Sequence, residues 1–226
     1  MVENFKLKEI TMVNKVAWIT GAGSGIGEAS AIKLSEEGFI VVLSGRTKEA
    51  LDTVASKCEG QVSVKPLDVS NSENVKGVFQ NIISDYGRID VLVASAGLNA
   101  KNRNWHNVSD EDFDQIIKID LNGVFYTNRL VLEKMKEQRE GLIINISSWA
   151  GKYVTTLTGP AYTAAKHGVN ALTEGINMEA GHFGVRACAI CPGEVATPIL
   201  DKRPIPVSKE DKEKMVQPED CAETVA

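Results

Sequence analysis

Short apolar runs alternate with longer segments of helical periodicity, and this alternation limits the fold more than any other feature of the chain. The runs are KVAWIT (15 to 20), FIVVL (39 to 43), VSVKPL (62 to 67), IDVLVASAG (89 to 97), LIINISS (142 to 148) and VRACAICPG (185 to 193). The helical segments cover residues 26 to 37, 48 to 57, 74 to 86 and 113 to 137. Strands without polar alternation are typical of sheets buried on both faces. The sequence therefore predicts a doubly wound α/β fold with a parallel, Rossmann-type sheet.

Length and the two ends of the chain define the predicted domain. A chain of 226 residues is long enough for one substantial core and too short for two ordinary domains with a linker. We predict a single domain over residues 14 to 226, preceded by an extension over residues 1 to 13. The final residues, QPEDCAETVA, have the pattern of a helix that is beginning. We therefore expect the last strand of the sheet to be missing from this chain.

Composition excludes several classes of partner. With a net charge of -5 and 24% charged residues, the chain lacks the basic character that nucleic-acid binding requires. No stretch approaches the roughly 20 apolar residues of a membrane helix, and the first residues lack the apolar core of a signal peptide. We expect a cytoplasmic protein that binds neither nucleic acid nor membrane and whose partner is a small molecule.

The cysteines predict neither a metal site nor a disulfide framework. Cys188 and Cys191 form a C-x-x-C, which can be half of a zinc site. They lie in an apolar run that we interpret as a buried strand, where side chains three residues apart point to opposite faces. The chain has no second pair of Cys or His at zinc-like spacing. Its four cysteines are scattered through a chain of medium size.

A glycine-rich turn directly follows the first predicted strand. It consists of Gly21, Ala22, Gly23, Ser24, Gly25, Ile26 and Gly27, and a helical segment comes next. Glycines allow a tight turn that approaches a pyrophosphate closely, and a helix N-terminus offers free N–H groups. The turn lacks Gly-Lys-Ser/Thr, so it is not a nucleoside-triphosphate loop. The alternative is a tight turn without a ligand, which the strand before it and the helix after it disfavour.

The end of the second predicted strand bears on the cofactor. NAD sites place a carboxylate there for the adenosine ribose, but this segment ends in Ser44, Gly45 and Arg46. A guanidinium can hold a 2′-phosphate through paired, charge-assisted hydrogen bonds. Arg46 therefore favours NADP(H) over NAD(H); the alternative is a surface arginine that opens the next helix. Ser24 adds no second positive charge.

Tyr162 and Lys166 stand four residues apart in a helical segment and so share one face. Lowering the pKa of a tyrosine by about three units takes about 4 kcal/mol, which an ammonium about 4 Å away supplies at an effective dielectric near 20. Tyr162 can then donate a proton to a developing alkoxide or, as phenolate, accept one. The strand end Asn145-Ile146-Ser147-Ser148 supplies a hydrogen-bond donor for the substrate oxygen. The Tyr-xxx-Lys spacing alone is weak, because it also arises by chance.

These motifs appear in the order that the short-chain dehydrogenase/reductase family has them, and the chain resembles that family over residues 14 to 226. The matching motifs are TGAGSGIG (20 to 27), Asp68-Val69, Ala96-Gly97, NISSWAG (145 to 151), YTAAK (162 to 166) and PGEVAT (192 to 197). The resemblance implies an NADP(H)-linked oxidoreductase that acts on a carbonyl or an alcohol. It also implies a homodimer or homotetramer, with the helical segments 113 to 137 and 161 to 182 as candidate interfaces.

The resemblance also implies roles for single residues. Ser148 is the implied catalytic serine beside Tyr162 and Lys166, and Ser147 is the alternative. The implied cofactor contacts also include Tyr162, and Lys166 at the nicotinamide ribose. The others are Asp68 and Val69 at the adenine, Ser95, Ala96 and Gly97 after the fourth strand, and Pro192, Gly193, Val195 and Thr197 beside the nicotinamide.

The chain departs from the family pattern at three places. Asp120 stands where the family has a catalytic Asn, and Ala94-Ser95 stands where it has Asn-Asn. Aspartate still accepts hydrogen bonds, so a helix bend there can persist, but its charge would partly cancel the field of Lys166 at Tyr162. We expect Asp120→Asn to keep or raise activity. The loop between Ser148 and Tyr162 is longer than usual, which affects the shape of the substrate pocket.

Two functional hypotheses remain at this point. The first is a carbonyl reductase or alcohol dehydrogenase. The second is an NADP(H)-binding sensor without turnover, suggested by the altered Asn positions and opposed by the intact Ser148, Tyr162 and Lys166. The proline-rich segment from Thr197 to Gln217 is interpreted as a mobile loop or short helices near the site, or as a surface excursion, and it contains no motif that identifies a substrate.

Overall fold

The computed structural model describes residues 15–226 and contains a six-stranded parallel sheet. The predicted extension, residues 1 to 13, lies outside the described residues. The strands are β1 (Val16–Thr20), β2 (Ile40–Ser44), β3 (Val62–Val64), β4 (Val91–Ala94), β5 (Gly141–Ile146) and β6 (Val185–Ile190). Their spatial order is β3-β2-β1-β4-β5-β6, and every neighbouring pair is parallel. The predicted doubly wound architecture is confirmed.

Helices cover both faces of this sheet. They are α1 (Gly25–Glu36), α2 (Lys48–Ala55), α3 (Ser72–Tyr86), α4 (Asp110–Ile117), α5 (Gly123–Gln138), α6 (Pro160–Ala180), α7 (Lys209–Lys214) and α8 (Pro218–Val225). Local signals define several of their ends. The Asn71 side chain accepts hydrogen bonds from the first turn of α3, and Gly87 ends that helix in the left-handed conformation. Pro160 opens α6, where its missing N–H costs nothing.

Alternate residues of the strands build the two halves of the core. On one face, Val16 and Trp18 of β1 pack in a cluster with Ile82 of α3 and Met135 of α5. On the other face, residues such as Ile19 pack in a cluster with the buried side chains of α1, α2 and α8. All five residues of β1 are buried because the strand has a neighbour on each side and helices above and below it. This accounts for the apolar runs without alternation that predicted the fold.

The interpretation of the sixth apolar run as a buried strand was wrong in part. Strand β6 pairs with β5 on one side only within the described chain, and its residues alternate between buried and exposed. Arg186 and Cys188 are exposed, whereas Val185 and Ala187 are buried. Cys191, just past the strand, lies with its Sγ 3.6 Å from Oδ1 of Asn170. Burial of a strand depends on what covers each face, which its own sequence does not encode.

The segment predicted as one helix over residues 113 to 137 is interrupted. A π-helical turn, Lys118–Asn122, separates α4 from α5. Such a turn holds one more residue than an α-turn and often occurs at a functional site. Here it contains the fully buried Asp120, which lines the cleft and accepts a hydrogen bond from the Leu98 N–H, in the loop after β4. The bend expected at this position is therefore present as a π-helical turn.

Short helices form much of the segment from Thr197 to Gln217. A 3₁₀ helix spans Pro198–Lys202 and α7 follows, while an isolated bridge joins Val195 to Val216. The 3₁₀ helix lines the same cleft as the residues that follow β1, β2, β4, β5 and β6. No helix within residues 15–226 has the length and apolar character needed to cross a membrane.

Strand order determines where a ligand can enter. The chain runs from β1 to β2 on one side and returns to β4 on the other side of β1. The loops after β1 and β4 therefore diverge and leave a crevice at the carboxyl ends of these strands, the usual ligand position in open α/β sheets.

Candidate active site

The glycine-rich turn forms a cradle at the start of α1. Gly21 and Gly25 have φ angles of 66° and 57°, values that glycine adopts at no steric cost. A Cβ on Gly21 would lie 2.7 Å from the backbone nitrogen of Ala96, and a Cβ on Gly25 would lie 3.0 Å from Cγ2 of Thr197. The turn can adopt this shape because its glycines have no side chains. The free N–H groups at the start of α1 lie beside the turn. These features fit a pyrophosphate.

Gly27 is the exception among the predicted cofactor residues of this turn. It does not line the crevice, and a Cβ there would collide with the carbonyl oxygen of Gly21. Its role is close packing of α1 against the end of β1, which shapes the cradle from behind. A direct contact from Gly27 to the cofactor stays a prediction.

We expect Gly21→Ala to destabilise the protein more than Gly60→Ala does. Both glycines have a φ of 66°, but a Cβ on Gly60 meets nothing within 4 Å. The left-handed conformation costs an alanine about 1–2 kcal/mol at either position, and the crowding at Gly21 adds about 1–3 kcal/mol. Urea unfolding of the two variants measures the difference. Equal losses of stability would mean that the turn and the Ala96 backbone can separate freely.

A cleft of about 580 Å³ runs from this cradle across the strand ends. It brings together all four predicted catalytic residues: Asp120, Ser148, Tyr162 and Lys166. It is also lined by the other predicted cofactor residues: Gly21, Gly23, Ser24, Gly25, Ile26, Arg46, Asp68, Val69, Ser95, Ala96, Gly97, Pro192, Gly193, Val195 and Thr197. Residues from well-separated parts of the chain therefore share one continuous surface.

One end of the cleft contains Arg46 and Asp68. Arg46 is exposed just after β2, and its side chain is free to meet a group in the cleft. The Asp68 carboxylate accepts a hydrogen bond from the Ser70 backbone N–H at 2.9 Å. Hydrogen bonding by Ser70, together with the charges of Arg46 and Lys118, lowers the pKa of Asp68. This end can therefore bind a nucleoside through both a cation and an acceptor.

The other end contains the reacting groups. Tyr162 and Lys166 lie on the first turns of α6, and the Lys166 Nζ is 5.4 Å from the centroid of the Tyr162 ring. This Nζ donates a hydrogen bond to the Ile146 carbonyl at 3.0 Å, which ties α6 to the end of β5. Ser148 follows β5 directly and is buried. Its hydroxyl lowers the pKa of Tyr162, and both residues line the cleft.

The two candidate serines differ in their partners. The Ser147 Oγ donates to the Lys166 carbonyl at 3.3 Å and so contributes to helix packing. The Ser148 Oγ accepts from the Ala150 N–H at 3.1 Å and stays available to donate. This geometry favours Ser148, whose catalytic role stays a prediction.

The pKa of Tyr162 departs from the sequence-based expectation. Loss of water around the phenol raises its pKa above the ordinary value, and this effect outweighs the lowering by Lys166. The Asp120 charge also raises the pKa of Tyr162, whereas Ser148 and Arg103 lower it. Lys166 by itself therefore does not convert Tyr162 to phenolate near neutral pH. The expected lowering considered the ammonium and omitted most of the desolvation.

Asp120 is buried with an incomplete set of partners. Its Oδ1 accepts the Leu98 N–H at 2.9 Å, and its Oδ2 lies 3.7 Å from Nζ of Lys166 and has no hydrogen-bond partner among residues 15–226. A Cβ on Gly97 would lie only 3.1 Å from that Oδ2. Burial raises the pKa of Asp120 to about 6, although Lys166 opposes this. The carboxyl group therefore changes charge close to neutral pH.

We expect Asp120→Asn to remove a pH-dependent loss of stability. An aspartate with a pKa of about 6 when folded and about 3.9 when unfolded binds its proton more tightly in the folded state. Its contribution is complete below about pH 4 and is lost as the pH rises through about 6. Between about pH 5 and pH 8, the free energy of unfolding of the unchanged chain should fall by about 1–2 kcal/mol more than that of Asp120→Asn.

Urea unfolding at both pH values measures this difference, with exposed Asp114→Asn as the control. In the same preparations we expect Asp120→Asn to keep or raise turnover. A pH-independent difference would contradict the assignment of the titration to Asp120, and a drop in turnover beyond tenfold would assign the carboxylate a role of its own.

Sequence reasoning missed several residues that line the substrate end of the cleft. Asn99 and Arg103 lie in the loop after β4, Thr158 precedes α6, and Arg203 follows the 3₁₀ helix. The Asn99 side chain donates to the Thr158 carbonyl at 3.0 Å, so two of these loops are joined. Nothing in the local sequence marks them, because they belong to polar loops whose proximity only the fold creates.

Comparisons with known proteins identify the family of this chain. A family model for short chain dehydrogenase matches residues 15–205. An uncharacterized oxidoreductase of Staphylococcus aureus (strain USA300) is 38% identical over 215 residues, which cover 95% of this chain and 90% of that protein.

Two solved structures are also similar. An alcohol dehydrogenase from the archaeon Thermococcus sibiricus, complexed with 5-hydroxy-NADP, has a TM-score of 0.83 and 32% identity, and the match covers 93% of this chain and 88% of that one. A 3-ketoacyl-(acyl-carrier-protein) reductase from Brucella melitensis, complexed with NADH, has a TM-score of 0.84 and 30% identity, with the same coverage of 93% and 88%.

The fold, the ordered motifs and these matches point to one family. The family model covers most of the chain, and the curated relative matches nearly all of it. The chain belongs to the short-chain dehydrogenase/reductase family of oxidoreductases.

Proposed function

We propose that this protein transfers a hydride between NADP(H) and a carbonyl or secondary alcohol substrate, with Tyr162 as the general acid and base. The observation that carries the proposal is the convergence of Ser148, Tyr162 and Lys166 in the same cleft as the glycine cradle. The cradle lies at one side of the strand ends and the three polar groups lie at the other. A cofactor extended along the cleft brings its reactive end to these groups.

The cofactor end of the cleft supports NADP(H). The cradle residues Gly21 and Gly25 accept a pyrophosphate, and Arg46 offers its guanidinium to a 2′-phosphate. The relatives named above were crystallised with an NADP derivative in one case and with NADH in the other. The proposed preference of this chain for NADP(H) over NAD(H) therefore rests on Arg46, because the end of β2 has this arginine and no acidic residue. When bound, NADPH supplies the hydride.

The polar groups of the other end handle the proton. The raised pKa of Tyr162 keeps the phenol protonated near neutral pH, the state that reduction of a carbonyl requires. The Ser148 hydroxyl holds the carbonyl oxygen, and Tyr162 donates its proton to that oxygen as negative charge develops. In the oxidative direction Tyr162 must first lose its own proton, and the resulting phenolate then takes the alcohol proton, so we expect oxidation to be favoured at higher pH.

Lys166 and Asp120 adjust this proton transfer. The Lys166 ammonium, held by the Ile146 carbonyl, stabilises the phenolate that remains after Tyr162 has given up its proton. Ionised Asp120 works against this, since it raises the pKa of Tyr162. The pair therefore sets how readily Tyr162 releases and regains its proton.

We also expect a homodimer or homotetramer. Phe125 on α5 and Met178 on α6 are 43% and 85% exposed, respectively, although most apolar residues of these helices pack against the sheet. Apolar side chains of this size exposed on neighbouring helices fit a contact with a second copy of the chain.

Hydride transfer is the direct test of the proposed function. Ketones and aldehydes of different sizes are mixed with NADPH, and loss of the absorbance of the reduced nicotinamide is followed. We expect turnover of at least one carbonyl class, with NADPH preferred over NADH. Tight binding of NADPH without turnover of any carbonyl or alcohol would overturn the proposal and leave the sensor hypothesis.

A further inference from the structure

Arg103 joins three loops around the substrate end of the cleft. It follows β4, is only 6% exposed, and lines the cleft. Its Nε donates to the Ala100 carbonyl at 2.7 Å and its Nη1 to the Leu157 carbonyl at 3.5 Å. Its Nη2 donates to the Lys202 carbonyl. The guanidinium thus lies where the loops after β4, β5 and β6 meet.

Within residues 15–226, this buried cation has no anionic partner. No carboxylate oxygen of these residues comes within 4.0 Å of the guanidinium. The nearby Arg203 is paired with Glu194, its Nη2 lying 2.6 Å from Oε1 of that residue. Burial lowers the pKa of Arg103, and the like charge of Arg203 lowers it further. Guanidinium groups nevertheless stay protonated, so Arg103 is a positive charge held away from water, which costs several kcal/mol unless it is compensated.

Backbone carbonyls do not use all of the hydrogen-bonding capacity of Arg103. The three carbonyls take Nε–H and one N–H on each terminal nitrogen. A second N–H remains on each terminal nitrogen. Each of these N–H groups can donate a charge-assisted hydrogen bond to a carboxylate oxygen.

Arg103 is also close to the reacting groups. Both Arg103 and Tyr162 line the cleft. A Cβ on Gly159 would collide with the Arg103 carbonyl oxygen, so Arg103 lies against the start of α6, the helix that carries Tyr162. The Arg103 charge also lowers the pKa of Tyr162. An anion bound at Arg103 would therefore place the rest of a small molecule beside Tyr162 and Ser148. Arg46 lies at the opposite end, after β2, where the cofactor phosphates are expected.

We propose that the carbonyl substrate carries a carboxylate close to its reacting carbon and that Arg103 binds this carboxylate. The substrate class is then an oxo acid in reduction and a hydroxy acid in oxidation. This inference rests on the proposed hydride transfer, and it adds a specificity-determining residue and a charge requirement. It involves no new covalent step, because Arg103 only orients the substrate.

Matched acids and esters test the charge requirement. Pyruvate, acetoacetate and levulinate are compared with their methyl esters, with NADPH as reductant, by kcat/KM. We expect the unchanged chain to prefer at least one acid over its ester about tenfold, a charged hydrogen bond being worth about 1.5–3 kcal/mol. In Arg103→Gln this acid-to-ester ratio should fall about tenfold. Loss of the loop contacts of Arg103 lowers kcat/KM for acid and ester alike and so leaves the ratio as the readout. Arg103→Lys, which keeps the charge, should retain part of the preference.

A control and several outcomes separate specificity from structure. Arg186→Gln is the control variant. Arg186 lies near the amino end of β6, away from the cleft at the carboxyl ends of the strands, and its replacement should leave the acid-to-ester ratio unchanged. An equal loss for acid and ester in Arg103→Gln would mean that Arg103 only clamps the loops and would overturn the proposal. A changed KM for NADPH with an unchanged ratio would assign Arg103 to the cofactor and would also overturn it. The proposal would also be overturned if the unchanged chain preferred the esters to the acids, or preferred dihydroxyacetone phosphate to every acid.

Failure of hydride transfer is a distinct result. If no carbonyl is turned over, the proposed function fails, and calorimetry then tests the anion site without catalysis. Binding of the three oxo acids to the NADPH complex, weakened about tenfold in Arg103→Gln, would support the site. Absence of binding to the unchanged chain would overturn it.

Discussion

Tyr162→Phe should lower kcat for carbonyl reduction by about 10²- to 10⁴-fold, the range typical for loss of a general acid. The phenyl ring keeps the packing of α6 against the loops of the cleft and removes only the proton that the developing alkoxide needs. Since the raised pKa of Tyr162 keeps the phenol protonated, the loss should persist across neutral pH. Steady-state kinetics with saturating NADPH measures it, and the Kd for NADPH measured by fluorescence should change little.

Tyr86→Phe provides the matched control, because Tyr86 ends α3 and packs against the core away from the cleft. Its kcat should stay within about twofold, since a surface-proximal hydroxyl without a catalytic role contributes little. Near-normal turnover in Tyr162→Phe would show that another group donates the proton. Loss of NADPH binding in the same variant would instead point to a structural defect.

Arg46→Asp should reverse the cofactor preference. We expect the ratio of kcat/KM for NADPH to that for NADH to fall about 10²- to 10³-fold. Loss of a charged hydrogen bond accounts for about 1.5–3 kcal/mol, and a carboxylate beside the 2′-phosphate adds about 1 kcal/mol of repulsion at a solvated site. The new carboxylate can also accept hydrogen bonds from the free ribose hydroxyls of NADH.

Lys48→Asp tests whether a nearby charge alone produces this effect. Lys48 opens α2 two positions later and forms an exposed ion pair with Asp52, with Nζ 2.6 Å from Oδ2. Its replacement changes the electrostatic potential near Arg46, although Lys48 itself does not line the cleft. The cofactor ratio should therefore change less than about threefold, as expected for a screened surface charge. A ratio that is unaffected by Arg46→Asp would refute the assignment of Arg46 to the 2′-phosphate.

The fold was predictable because its signals are local. Apolar runs such as residues 39 to 43 became strands with boundaries shifted by a residue or so, and the glycine turn after β1 has the positive φ angles that its composition suggested. The structure differs from the prediction where contacts with other segments of the chain determine the local conformation or burial. Periodicity continues through residues 113 to 137, so the π-helical turn at Lys118–Asn122 left no trace in the pattern. The exposure of β6 depends on what covers each of its faces.

The candidate site was predictable to the extent that motifs encode it. Tyr162 and Lys166 share a helix, so their spacing alone placed them together, and Ser148 follows from the end of a strand. Gly27 was assigned to the cofactor because the motif includes it, yet it packs α1 against Gly21. Arg103 belongs to no motif and became visible only where three loops meet around it.

The sequence by itself determined the parallel sheet and predicted the phosphate cradle and the proton-handling groups, since these follow from short-range periodicity, glycine positions and spacing within one helix. Only the tertiary structure decided the direction of the Tyr162 pKa shift, the incomplete hydrogen bonding of Asp120 and the position of Arg103. The physical reason is that desolvation and Coulomb interactions depend on distances between segments that are far apart in the chain. Those distances are set by packing.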